Sequence, residues 1–240
     1  MSSLSGKKVL FIAPQFFGYE KEIELAMVAQ GATVEYIPDR PFTSPLLKAI
    51  ARVRKEWIQP LSDLFFKKKF NSYKNNCFDI VFVIIGEAMS PKTLALLKQK
   101  QTNAEFVLYL WDGLKNKRLL YKNLPYFNRC ATFDASDAKT YKMYFRPLFY
   151  SNEFSKENCL NIKNTYDLSF IGTIHSDRFK IISNIKNNLP HDFNGYWYLY
   201  LQAKWVFFIY KIFNKSFNKA LINDFKYIGL DKKNVQNVFL

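Results

Sequence analysis

Short apolar runs alternate with polar, helix-spaced stretches through the first 150 residues. The first run is "KKVLFIAP" (residues 7–14), closed by charge on one side and proline on the other. Continuous apolarity over that length suits a strand buried on both faces of a parallel sheet. "KEIELAMVAQG" follows, with Ile23, Met27 and Gln30 at helical spacing and Gly31 placed to end the helix. "TVEYIPD" then predicts a second strand, and strand, helix, strand is a βαβ unit. The rhythm resumes with a strand over "FDIVFVIIGE" (residues 78–87) and a helix over "SPKTLALLKQK", with Ser90 as N-cap and Pro91 at the first helical position. Strands are expected at "AEFVLYLWD" and "CATFD", a short helix at "SDAKTYKMY", and a last strand at "FRPLFY" (residues 145–150). Residues 1–150 are therefore expected to form one doubly wound, Rossmann-like α/β domain.

Residues 151–165, "SNEFSKENCLNIKNT", are polar and Asn-rich, as a linker is. After them "YDLSFIG" restarts the rhythm, and "SDRFKIISNIKNNL" places Phe179, Ile182 and Ile185 on one side of a helix. The aromatic stretch that follows fits helix or strand, "FKYIGL" reads as a strand, and "DKKNVQNVFL" as a helix start with Asp231 as N-cap. Residues 166–240 are expected to be an incomplete second Rossmann-like domain, too short for a thick core of its own.

Composition changes this picture in one respect. The formal net charge is +15 and the pI about 9.6, which favours anionic partners without saying anything of fold. Cys77, Cys130 and Cys159 lie far apart and only His175 and His191 are present, so neither a zinc site nor a disulfide framework is expected, and a reducing cytosol fits best. The first 20 residues carry no signal-peptide pattern.

Candidate chemistry falls at the carboxyl ends of the strands, where doubly wound sheets gather ligands. No glycine-rich nucleotide signature follows the first strand. Gly18, Tyr19 and Glu20 stand there instead, either as a substrate-binding loop or as a plain turn in which Glu20 complements a helix dipole. Trp111 and Asp112 end a later strand. Trp111 can stack on a sugar ring. Asp112 can remove a proton from an attacking hydroxyl, although capping the next turn is the commoner role of such a residue. Ser136 and Asp137 read as a helix start, leaving Asp134 and Asp137 little catalytic weight. In "IGTIHSDR", Gly172, Thr173, Ser176 and Arg178 read either as an anion-binding corner at a helix N-terminus or as a plain tight turn, with His175 as a further acid–base candidate or a surface residue.

Two basic segments remain. One carries Lys48, Arg52, Arg54, Lys55, Lys67, Lys68, Lys69 and Lys74, and suits nucleic acid, a membrane surface or a solvated helix face. The other, "YLQAKWVFFIYKIFNKSFNK", sets Lys204, Lys211, Lys215 and Lys219 along one side of a helix with aromatics around the rest, as an interfacial helix on anionic lipid or a core helix with solvated lysines.

Taken in order, "KKVLFIAPQFFGYEKEI", "LYLWDGLKN", "FDASDAKTY", "RPLFY" and "YDLSFIGTIHSDRFKII" resemble glycosyltransferase-like proteins of bacterial lipopolysaccharide and capsule gene clusters, similar to the CgeB-like group. That resemblance spans nearly the whole chain. It implies a GT-B architecture: an acceptor-side Rossmann-like domain, then a donor domain binding a nucleotide-sugar, with no metal or other cofactor. On it, Gly172 and Thr173 line the inter-domain cleft. In that family further strand–helix units and a ribose-holding glutamate follow, so the chain matches the front two-thirds of the pattern. The expected function is transfer of a sugar from a nucleotide-sugar to a lipid-linked or glycan acceptor in cell-surface polysaccharide synthesis, at the cytoplasmic face of the membrane. The alternative is a truncated, non-catalytic α/β protein that binds a membrane surface or a partner. Nucleic-acid binding ranks last, since no recognition motif accompanies the charge.

Overall fold

The computed structural model describes residues 4–40, 58–150, 165–173, 178–190, 192–200 and 228–229. The chain divides into two units, Met1–Lys156 and Glu157–Leu240.

The first unit opens with β1 (Lys8–Ala13), α1 (Tyr19–Ala29) and β2 (Thr33–Pro38). It continues with α2 (Gln59–Asn71), β3 (Ile80–Ile84), α3 (Pro91–Lys100) and β4 (Glu105–Leu110). A run of 3₁₀ turns (Arg118–Tyr126), β5 (Arg129–Thr132), α4 (Ala135–Thr140) and β6 (Tyr144–Phe145) complete it. The six strands are all parallel, in the order β2-β1-β3-β4-β5-β6. This is a Rossmann-like α/β fold.

Strand β1 is its axis. Val9 through Ala13 are each 1% exposed or less, so both faces of the strand are covered, which is why its sequence does not alternate. Strand β4, by contrast, alternates half-buried and buried positions. Helix α2 contributes Phe66 and Phe70, both fully buried. On the same helix Lys67 and Lys68 are exposed, while Lys69 pairs with Glu35 at 3.1 Å. The described half of the first basic segment is thus a solvated helix face; Lys48, Arg52, Arg54 and Lys55 lie outside the described residues.

Helix boundaries follow local chemistry. Ser90 Oγ accepts from Thr93 N at 3.2 Å, and Pro91 begins α3 where no N–H partner is needed. Beyond α1, Gly31 has φ +93°, and a Cβ there would lie 2.9 Å from Ser5 Cα. Any side chain there is strained and must push Ser5 aside.

Two strands are shorter than their apolar runs. Strand β3 stops at Ile84, because Ile85 takes φ 63° and Gly86 N turns back to Ile84 O at 2.8 Å. This tight γ-turn is strained for a β-branched residue, and it puts Glu87 on a loop rather than in the strand. The strand expected over residues 145–150 is reduced to Tyr144–Phe145. Pro147 has no N–H for a ladder, and its carbonyl instead accepts from Tyr109 Oη at 3.2 Å.

The second unit has β7 (Leu168–Thr173), α5 (Arg178–Asn187), β8 (Gly195–Tyr200) and β9 (Ile228–Gly229), with its three strands parallel in the order β7-β8-β9. Of the apolar face expected on α5, Ile182 is buried and Ile185 is 39% exposed. The ambiguous aromatic stretch begins as strand β8. Lys204, Lys211, Lys215 and Lys219, and the helix expected after Asp231, lie outside the described residues. Among the described residues no helix is long and apolar enough to cross a membrane.

Candidate functional site

The sheet reverses its direction of growth between β1 and β3, since β2 lies on one side of β1 and β3 on the other. The loops at the carboxyl ends of β1, β3 and β4 therefore frame the crevice where doubly wound folds bind ligands.

Several N–H groups on this edge that face a helix start or turn tightly are already engaged by the chain's own acceptors. After β1, Phe17 and Gly18 take φ 52° and 82°, and Gly18 precedes α1. Glu20, only 7% exposed, turns back so that its Oε2 accepts from Phe16 N at 3.0 Å. After β2, the fully buried Asp39 accepts from Glu87 N at 3.1 Å and Ala88 N at 3.2 Å. Asp134 caps α4, accepting from Ser136 N at 2.8 Å and Asp137 N at 3.0 Å. Internal carboxylates stand where a phosphate would need these donors. Of the sequence candidates here, Glu20 thus completes its own loop, and Tyr19 starts α1.

Burial pushes the Asp39 carboxyl up to about 6, against the pull of the Ala88 and Glu87 N–H groups. Burial likewise raises the Tyr36 phenol to about 12, helped by the negative charges of Glu20 and Asp39; its Oη donates to Ala13 O at 3.0 Å. Tyr36 thereby ties the end of β1 to β2.

A chain of charges crosses the edge from β2 to β4. Arg40 and Lys117 both reach Glu87 Oε2, Lys117 at 2.9 Å, and Lys117 Nζ lies 4.0 Å from Asp112 Oδ2. The Asp112 side chain is 41% exposed. Capping of the turn after it falls to Asp137, whose Oδ2 accepts from Leu114 N at 2.7 Å. Asp112 is therefore not spent on that cap, contrary to the commoner role for such a residue.

Trp111, its neighbour, belongs to a closed cycle of four aromatic rings. Phe16 lies 6.2 Å from Trp111, Trp111 6.3 Å from Phe149, Phe149 5.5 Å from Tyr19, and Tyr19 6.1 Å from Phe16. These side chains come from the loop after β1, the start of α1, the end of β4 and the segment after β6. Phe16 is 50% and Phe149 41% exposed, while Trp111 is half-buried and packs against the core, so the cycle is open on one side only. Gly18, Tyr19, Trp111 and Asp112 thus share one edge.

In the second unit, Gly172 and Thr173 end β7 and Arg178 begins α5. A Cβ on Gly172 would come within 2.8 Å of the Phe170 ring and 3.6 Å of Arg178 Nη1, so the arginine head and the glycine meet at this corner. Ser176, His175 and the Thr173 side chain lie outside the described residues.

Neither protein-family models nor curated proteins give any match to this chain. Sequence reasoning missed Phe16, Arg40, Glu87, Lys117 and Phe149. A signal existed for Glu87, a charged residue after a glycine at the end of an apolar run. For Arg40 and Lys117, 47 and 30 residues away from Glu87, there was none.

Proposed function

We propose that this chain is a glycosyltransferase-like protein of GT-B type, whose first unit holds a glycan or lipid-linked acceptor and whose second unit holds a nucleotide-sugar. The observation that carries this reading is the open aromatic cycle of Phe16, Tyr19, Trp111 and Phe149 beside the exposed carboxylate of Asp112. Aromatic faces suit the apolar C–H face of a pyranose, and a carboxylate accepts from its hydroxyls. The internal bonding of the edge supports the same division of labour, since Glu20 takes Phe16 N, Asp39 takes N–H groups of the loop after β3 and Asp134 those at the start of α4. Two separate units of parallel strands in one chain are what a GT-B architecture requires.

On this reading Asp112 takes the proton of an acceptor hydroxyl as its oxygen attacks the anomeric carbon of the donor. The bond from that carbon to the diphosphate breaks, and the nucleoside diphosphate leaves with the electron pair. Arg178, at the helix start beside Gly172, is the cation this reading assigns to stabilise it. No metal or other cofactor enters the scheme, and cell-surface polysaccharide is the product class.

The test incubates the full chain with a panel of nucleotide-sugars and membrane-extracted glycolipid acceptors and follows nucleoside diphosphate release. Release with at least one donor, cut by about 100-fold or more in Asp112→Asn, is expected. No release with any donor sinks the proposal, as does full activity in Asp112→Asn.

A second reading is favoured by the exposure of Phe17 (86%) and Tyr150 (74%) next to the cycle: a non-catalytic protein that docks this face on a partner or an anionic membrane. Sedimentation with anionic vesicles, lost in Phe17→Ser, together with no calorimetric heat from any nucleotide-sugar, would favour it.

A further inference from the structure

Exposed apolar side chains of the first unit gather at one edge of its sheet. Residues 141–150, "YKMYFRPLFY", run on from the end of α4 through β6, and all of them but Met143 are exposed. Tyr144, Phe145, Leu148 and Tyr150 are each more than half open to solvent. Strand β6 is outermost and pairs only with β5, so Tyr144 and Phe145 point to opposite sides of a free sheet edge and both meet whatever approaches that edge. Phe149 carries the surface into the aromatic cycle, and Phe17, 4.6 Å from Phe16, extends it again. Contiguous exposed apolar surface of this kind marks a place of docking.

The charges narrow what docks there. Lys139, Lys142 and Arg146 stand among these rings, all three exposed, and their side chains enter no ion pair among the described residues. Residues 138–150 contain no carboxylate. A second copy of this chain would set the same cations against themselves, with +15 on each chain. A nucleic acid finds few cations here for binding that rests on phosphate neutralisation, and Pro147 and Leu148 give its bases no ring to stack on. An anionic lipid surface meets every feature at once: headgroup phosphates for the cations, the wet boundary for the tyrosines, and acyl chains for Phe145 and Leu148.

We propose that residues 139–150, together with Phe17, are a docking surface for an anionic lipid bilayer. The rings and Leu148 enter the headgroup boundary, and Lys139, Lys142 and Arg146 pair with lipid phosphates. This rests on the docking reading of the face and names what it docks on, but it needs no loss of catalysis, since Asp112 lies outside the segment.

Hydroxyl-radical footprinting read by mass spectrometry reports side-chain exposure directly. The full chain is footprinted free, with vesicles of equal parts phosphatidylglycerol and phosphatidylcholine, and with phosphatidylcholine alone at the same lipid concentration. In the free chain Tyr144, Phe145, Leu148 and Tyr150 are expected to be heavily modified. Anionic vesicles are expected to cut that modification by about threefold or more, and phosphatidylcholine far less. Leu64, exposed on α2, the helix that Lys69 ties to β2 at the opposite edge of the sheet, should keep its modification. Leu148→Ser combined with Tyr150→Ser keeps the charge and should weaken cosedimentation with the anionic vesicles about tenfold or more. If the urea midpoint of that variant falls, the footprint of the unmutated chain decides. Equal footprints with and without anionic vesicles overturn the proposal, as does undiminished sedimentation of the folded double variant, or protection by a single-stranded oligonucleotide in place of vesicles. A face already unmodified in the free chain is covered by protein, which overturns lipid as the occupant and keeps the docking reading; a face open under every condition overturns both. Asp112→Asn, footprinted alongside, should keep the protection, so that loss of transfer and loss of docking are read separately.

Discussion

Asp39→Asn removes one buried charge at nearly constant shape. In the native chain the Asp39 carboxyl is fully buried and titrates at about 6, against an ordinary value of 3.8. Between those values the folded chain holds a proton that the unfolded chain has released. Stability from this group is therefore fully present below pH 3.8 and is lost as pH rises through about 6. Integrated over that shift, Asp39 makes the first unit more stable by about 1.4 kcal/mol at pH 5 than at pH 8. The asparagine variant lacks this dependence. Its own cost is modest at pH 8: one of the two N–H groups, of Glu87 or Ala88, loses its acceptor at about 1–3 kcal/mol, which offsets relief from the buried charge. Urea unfolding read by hydrogen-exchange mass spectrometry on the β1 peptide isolates the first unit. Comparing the two proteins at both pH values cancels the other carboxylates, among them Glu35, which burial pulls up but hydrogen bonds from Lys69 and Tyr73 hold below its usual value. Parallel pH profiles for the two proteins would refute the reasoning.

Three further outcomes can be read with the same assay. Phe70→Ala empties a fully buried ring position on α2 and should destabilise the first unit by about 3–5 kcal/mol. Gly31→Ala must hold an L residue at φ +93° against Ser5 Cα, so a loss of at least about 1–2 kcal/mol is expected; an unchanged urea midpoint would show that the turn can relax. Ser90→Ala frees Thr93 N at the start of α3 and should cost about 1 kcal/mol, recovered in Ser90→Asp.

Much of the element order was open to view in the chain. The five buried residues of β1 read as a two-faced strand because burial on both sides leaves no polar position to tolerate. Ser90 and Pro91 announced a helix start because their chemistry acts within one turn. The expectations that shifted depended on distant partners. Nothing local says that an isoleucine will take a left-handed turn; Ile85 does so where its N–H reaches Tyr109 O and where Asp39, in the loop after β2, draws in the following N–H groups. Asp112 read as a cap until Asp137, 23 residues beyond Leu114, supplied the bond to Leu114 N.

The candidate site divides the same way. Trp111, Asp112 and the Gly18–Glu20 loop were legible as strand-end residues of a parallel sheet, because that architecture sends every β-to-α loop to one edge. Which of them meet was settled only by strand order. Placing β3 and β4 on one side of β1 carries Trp111 to Phe16, and the two-residue β6 delivers Phe149 to both Trp111 and Tyr19. Local pattern determined the strands and their caps, since hydrogen-bond and burial needs repeat over a few residues. Tertiary structure decided the aromatic cycle, the Arg40–Glu87–Lys117 chain and the buried charge of Asp39, since those depend on which loops the sheet sets side by side.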